Sequence, residues 1–101
     1  DATVNNYLRA FRDKKLALVI GEFGGDHRGA HVDEAAIMRR ARDYNVGYLG
    51  WSWSGNDSST QSLDIAIGWN ATRLSSWGRN LILGADGITA TSRRASVFGP
   101  R

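Results

Sequence analysis

Two short apolar runs constrain this chain more than any other feature: Leu16-Ala17-Leu18-Val19-Ile20-Gly21 and Val46-Gly47-Tyr48-Leu49-Gly50-Trp51. The first carries no charge and enough β-branched residues to be a buried strand, and the second reads as another strand. Helical patterns surround them. Val4, Tyr7, Leu8 and Phe11 fall at i, i+3, i+4 and i+7, with Thr3 placed to cap that helix. Arg12, Lys14 and Lys15 suit its C-terminal end, where the helix dipole favours cations. Asp33 reads as the N-cap of a second helix, with Glu34 in its first turn and Ile37, Met38, Ala41 and Tyr44 as its buried stripe. Asn45 is its stop. Ser75 or Ser76 caps a third helix through Trp77 and Leu81 to about Leu83, and Ile88 to Phe98 is expected to hold a short helix. The order helix, strand, helix, strand, helix argues for parallel strands joined by crossover helices. Two parallel strands cannot make a sheet buried on both faces, so the expectation is a segment of a larger α/β structure.

The 101 residues suffice for one small domain, which can bury roughly two thirds of its unfolded surface. A hydrophobic content of 42% with 23% charged residues reads as globular. The net charge of +3 and a sequence pI near 9.8 invite a nucleic-acid partner, but the basic residues are scattered in short pairs such as Arg39-Arg40 and Arg93-Arg94. None is therefore expected. Without cysteine there is neither a disulfide framework nor a thiolate metal site. No stretch approaches the ~20 apolar residues of a membrane span. The opening residues Asp1-Ala2-Thr3 already read as the approach to a helix, as in a piece with its beginning removed, and the single proline, Pro100, marks no internal linker.

The chemistry is expected where the strands end. Glu22 closes the first strand, between Gly21 and the pair Gly24-Gly25, and Trp51 and Trp53 close the second. In a (β/α)8 barrel functional groups collect at the C-terminal strand ends. A carboxylate at one strand end and indoles at the next suit a sugar: aromatic faces stack on pyranose rings, and a carboxylate attacks or stabilises an anomeric carbon. Trp51 and Trp53 share a side if the strand stays extended that far. Plainer readings stand beside these. The indoles could be core packing for the long loop from Asp57 to Thr72, and Glu22 could be tied to an arginine or a helix N-terminus. The polar loop from Phe23 to His31 carries Asp26, His27, Arg28 and His31, a set more ordinarily solvated than metal-binding.

Taken together, Val19-Ile20-Gly21-Glu22-Phe23-Gly24, Asp33-Glu34 and Gly47-Tyr48-Leu49-Gly50-Trp51-Ser52-Trp53-Ser54-Gly55-Asn56 resemble the C-terminal part of bacterial endo-β-1,4-mannanases of glycoside hydrolase family five. The similarity continues through Leu63-Asp64, Leu74-Ser75, Trp77-Gly78 and Asp86-Gly87-Ile88 to Ala95–Gly99, nearly the whole chain. The spacing between Glu22 and the tryptophan run, 51 − 22 = 29 positions, makes the signature fairly specific. The resemblance implies a segment of a (β/α)8 TIM barrel, about its seventh and eighth strands with their helices, with residues 1–101 the C-terminal portion of a single catalytic domain. It implies a retaining mechanism in which Glu22 is the nucleophile, Trp51 floors the subsite beside the scissile bond, and Trp53 and His27 face substrate. It also implies a secreted enzyme that needs no cofactor or metal.

Retaining hydrolysis needs a second carboxyl about 5 to 5.5 Å from the nucleophile. The resemblance puts it on a glutamate after an asparagine, and no Asn-Glu dipeptide occurs in this chain. The acid/base residue is therefore expected outside it, the remainder of the barrel is an expected partner alongside mannan, and the chain alone is expected to be inactive. Two other readings stay open: a non-catalytic fragment that binds polysaccharide through Trp51, Trp53 and Trp69 or self-associates through bare strand edges, and a β-1,4-glucanase of the same clan.

Overall fold

A computed structural model describes residues 1–99; Pro100 and Arg101 lie outside the described residues. The alternation expected from the sequence is present: α1 (Ala2–Asp13), β1 (Val19–Phe23), α2 (Glu34–Tyr44), β4 (Gly47–Gly50) and α3 (Ser76–Leu83), with a short α4 (Ile88–Thr91) in the tail. β1 and β4 pair in parallel, Val19 opposite Gly47 and Ile20 opposite Tyr48. Two small strands, β2 (Asp26–His27) and β3 (Ala30–His31), form an antiparallel hairpin between β1 and α2. No helix of the described residues is long and apolar enough to cross a membrane.

One face of the β1–β4 pair carries the core. Phe23, Met38, Ile65, Trp77 and Leu81 are buried together, with Ile20, Ile37, Tyr48, Leu74 and Ile82 packed against them. The Phe23 ring meets Tyr48 and Trp77 edge-on, with centroids 5.7 and 5.4 Å away. α3 comes in close because a Cβ on Gly78 would fall on the Ile65 carbonyl oxygen. The opposite face is bare: Val19 is 56% and Leu49 60% exposed. In this segment β1 is therefore buried on one face only, as expected of a piece of a larger α/β structure. A parallel pair needs layers on both sides, and the described residues supply only one.

Helix ends account for other departures. Thr3 lies inside α1; Asp1 takes the N-cap position, and its carboxylate binds Arg39 and Arg40 of α2 instead of capping. At the far end Lys15 is left-handed, with Lys15 N–H donating to Arg12 O and Leu16 N–H to Phe11 O. Those two bonds make a Schellman motif, which absorbs Leu16 and delays the strand to Val19. α2 ends the same way, on left-handed Asn45, with Val46 N–H donating to Ala41 O at 2.8 Å. At α3 the choice of cap falls on Ser75, whose Oγ accepts from Gly78 N–H at 2.9 Å. The segment from Phe23 to His31 is no plain loop: Arg28 and Gly29 both have positive φ, 53° and 81°, as a two-residue type I′ hairpin turn requires.

Candidate functional site

The carboxylate sits on an irregularity in β1. Ile20 pairs with Tyr48 and Phe23 with Gly50, so β1 advances 23 − 20 = 3 residues while β4 advances 50 − 48 = 2. The extra residue is a β-bulge spanning Gly21 and Glu22, a device that re-aims a side chain and recurs next to active sites. Without it, alternation would put Ile20 and Glu22 on one face. With it, Phe23 joins the core that Ile20 packs against, and Glu22 is left exposed. No ion pair among the described residues involves Glu22, so the reading that ties it to an arginine finds no partner here.

Trp51 follows directly on the neighbouring strand end. Its N–H donates to Phe23 O at 2.8 Å, joining the residue after Glu22 to the residue after β4. Its carbonyl accepts from Trp77 Nε1 at 2.9 Å. Its own Nε1 donates to Asn56 Oδ1 at 3.2 Å. The Trp51–Ser52 peptide is cis. Its backbone is held at both ends, and the side chain is 48% exposed in this segment.

Asn56 is bound on its other side to Asp64, whose Oδ1 accepts from Asn56 N at 3.0 Å and Asn56 Nδ2 at 2.6 Å. Asp64 is only 7% exposed. The backbone N–H of Asn56, then its side-chain amide and the N–H of Gly55, hold the Asp64 carboxyl below the ordinary carboxylate range, against the opposing effect of burial. Asn56, Asp64 and Trp77 stand in the stretches that carry the family resemblance, but the sequence reading gives them no part in the site. The available signal was an acid inside the short apolar patch Leu63–Ile67, a residue that is costly to bury unless it is bonded.

Trp53 is 43% exposed, and its carbonyl accepts from Ala66 N at 2.7 Å. Since β4 ends at Gly50, strand alternation does not extend to Trp51 and Trp53, and their common side does not follow from it. His27 is exposed on β2, opposite Ala30. Its hairpin is tied to the loop after β4: Ser62 Oγ donates to Asp26 Oδ2 at 2.6 Å, and a Cβ on Gly24 would come 2.6 Å from Leu63 Cδ2. The structure thus joins Trp51 to Phe23, the residue after Glu22, by a backbone hydrogen bond and brings the hairpin bearing His27 against the loop after β4. It shows no hydrogen bond from His27 to Glu22 or Trp51. Among the described residues no three His, Asp or Glu side chains are grouped to hold a metal ion.

Residues 1–57 match the model of the family described as cellulase (glycosyl hydrolase family 5). The chain belongs to glycosyl hydrolase family 5. It is 50% identical over 99 residues to a mannan endo-1,4-beta-mannosidase of Cellvibrio japonicus (strain Ueda107), which covers 98% of this chain and 23% of that protein. It is 48% identical over 98 residues to a mannan endo-1,4-beta-mannosidase of Streptomyces lividans, covering 97% of this chain and 26% of the relative. In structure it is similar to the beta-mannanase of Streptomyces thermolilacinus crystallised with mannohexaose: TM-score 0.90, 46% identity, 99% of this chain and 33% of the other. The chain therefore spans about a quarter of the curated relatives' length and a third of the solved chain. The family 5 neighbours are TIM barrels, and the β1–α2–β4–α3 unit is a section of that barrel.

Proposed function

We propose that this chain is the section of a retaining endo-β-1,4-mannanase that contributes the nucleophile, Glu22, and part of the sugar cleft, Trp51. The observation that carries the reading is the bulge that frees Glu22 from the core face, one residue before the Phe23 carbonyl that binds Trp51 N–H. In this reading residues 1–101 hold the seventh and eighth strands of the barrel. The remaining strands bring the acid/base carboxyl to about 5 to 5.5 Å from Glu22, the separation of retaining enzymes. Glu22 attacks the anomeric carbon as the acid protonates the departing glycosidic oxygen. Water then hydrolyses the glycosyl-enzyme, and Glu22 leaves as a carboxylate. Its place at the C-terminal end of β1 is where functional groups collect in such barrels. The indole of Trp51 offers an apolar face to the pyranose beside the scissile bond. Trp53 and His27 extend the same cleft, on a loop and a hairpin attached to it.

Mannan is the proposed substrate, supported by the names of the relatives at 48% and 50% identity. A polymer of that size is met outside the cell, so the complete enzyme is proposed to be secreted. β-1,4-Glucan is the second reading, favoured by the cellulase description of the family model. The test is mannan and cellulose hydrolysis by the complete barrel containing this chain, with and without Glu22→Gln. The substitution is expected to lower kcat on mannan by about 10⁴-fold or more, the scale of nucleophile removal, with little change in folding. Retained mannan hydrolysis in Glu22→Gln would overturn the assignment, and faster turnover of cellulose than of mannan would favour the second reading.

A further inference from the structure

We infer that Asp64 and Asn56 are positioning residues for the sugar platform: the buried Asp64 carboxylate fixes the Asn56 amide in the orientation that presents Oδ1 to Trp51 Nε1, and so sets the plane of the indole. The inference rests on the reading of Trp51 as a substrate-contacting residue. An asparagine amide has two ends, a donor and an acceptor, and only its surroundings decide which way it points. Here Asn56 Nδ2 stands 2.6 Å from Asp64 Oδ1 and 2.8 Å from Ser52 Oγ. Turning the amide over would press Oδ1 against a carboxylate oxygen, two acceptors in contact. Asp64 therefore forbids the flip.

The consequence reaches Trp51. An indole N–H donates and never accepts. It meets Asn56 Oδ1 at 3.2 Å only in the orientation that Asp64 enforces. The backbone of Trp51 is already pinned by Phe23 O and Trp77 Nε1, so the rotation of its half-exposed ring is the freedom left to control. Asp64 is itself held from several sides: Asn56 N and Nδ2 bind its carboxylate, and Ser75 Oγ, at the α3 N-cap, donates to its carbonyl at 2.6 Å. Its neighbours Ile65 and Ala66 are buried. An apolar residue here would leave the Asn56 N–H and its side-chain amide without their acceptor. Besides satisfying the loop backbone, the carboxylate orients the amide.

The test is a mutant cycle in the complete barrel, read as kcat/KM on mannohexaose, with thermal midpoints taken for each variant. Asn56→Asp sets two carboxylates against each other, pushing the side chain away from Trp51 Nε1, and is expected to lower kcat/KM about tenfold, the scale of one lost hydrogen bond. In a Trp51→Phe background, which has no indole N–H, Asn56→Asp should cost little more than Trp51→Phe alone. If Asn56→Asp fails to fold, Asp64→Asn alone is read in the two backgrounds; a loss in the presence of Trp51 that vanishes in the Trp51→Phe background supports the inference. An equal loss in both backgrounds overturns it, since Asp64 and Asn56 would then act on the fold and not through the indole. Unchanged kcat/KM in Trp51→Ala would instead overturn the sugar-platform reading itself.

Discussion

Asp64 shows how a single residue ties stability to the site. Its carboxyl is held below the ordinary carboxylate range by donors that exist only in the folded chain. The unfolded chain therefore binds a proton more readily than the folded one. The resulting stabilisation is fully present above the unfolded value, about 3.9, and is lost as pH falls through the lower folded value. Thermal midpoints measured from neutral pH down to pH ~2 should fall less steeply on acidification in Asp64→Asn than in the parent. An identical pH slope would mean that Asp64 has no such linkage. At the same scale, Ser75→Ala removes both the α3 cap and the donor to Asp64 O, and should cost about 1 to 2 kcal/mol in thermal unfolding. Glu22 and Trp51 stand out in the sequence as a carboxylate and an indole at strand ends, and their proposed roles come from the resemblance to the mannanases. Asp64 and Asn56 do not stand out, because their importance lies in a contact across a loop. The spacing 64 − 56 = 8 has no periodic meaning in that loop.

Among the elements, order and type are legible and their edges are not. The helical stripes place α1, α2 and α3, since amphipathic spacing reports the buried face directly. The start of β1 is hidden because a Schellman motif closed by Lys15 looks, in sequence, like any charged pair before an apolar run. The bulge at Gly21–Glu22 is invisible for a related reason: register is a property of two strands, and one strand's sequence does not contain it. The hairpin β2–β3 offers a check at this level. Gly29, at φ 81°, accommodates a conformation that a side chain resists. Gly29→Ala should loosen the hairpin locally, seen as faster hydrogen exchange at Val32 N–H, which donates to Gly25 O at 3.1 Å. The global thermal midpoint should change little. Unchanged exchange at Val32 would show that the hairpin does not depend on its turn.

For the molecule as a whole, the decisive fact is that one face of a parallel strand pair is packed and the other is not. Val19 and Leu49 lie on the bare face, and both outer edges of the β1–β4 pair are unpaired among the described residues. Such a surface favours association with whatever can cover it. The isolated chain is expected to self-associate with rising concentration in sedimentation velocity, and Leu49→Lys to reduce that association. In the complete barrel, where the same face becomes interior, Leu49→Lys should destabilise by several kcal/mol through an unpaired buried charge. A monodisperse isolated chain would contradict this view of the bare face.

The most direct measurement is to trap the glycosyl-enzyme. The complete barrel would be treated with a 2-deoxy-2-fluoro-β-mannosyl substrate bearing a good leaving group, digested, and the labelled peptide identified by mass spectrometry. The fluorine slows formation and hydrolysis of the ester, while the leaving group lets it accumulate. The expected result is one sugar esterified to Glu22. A sugar on any other residue, or hydrolysis with inversion and no covalent adduct, would contradict the assignment of Glu22 as the nucleophile of a retaining mannanase.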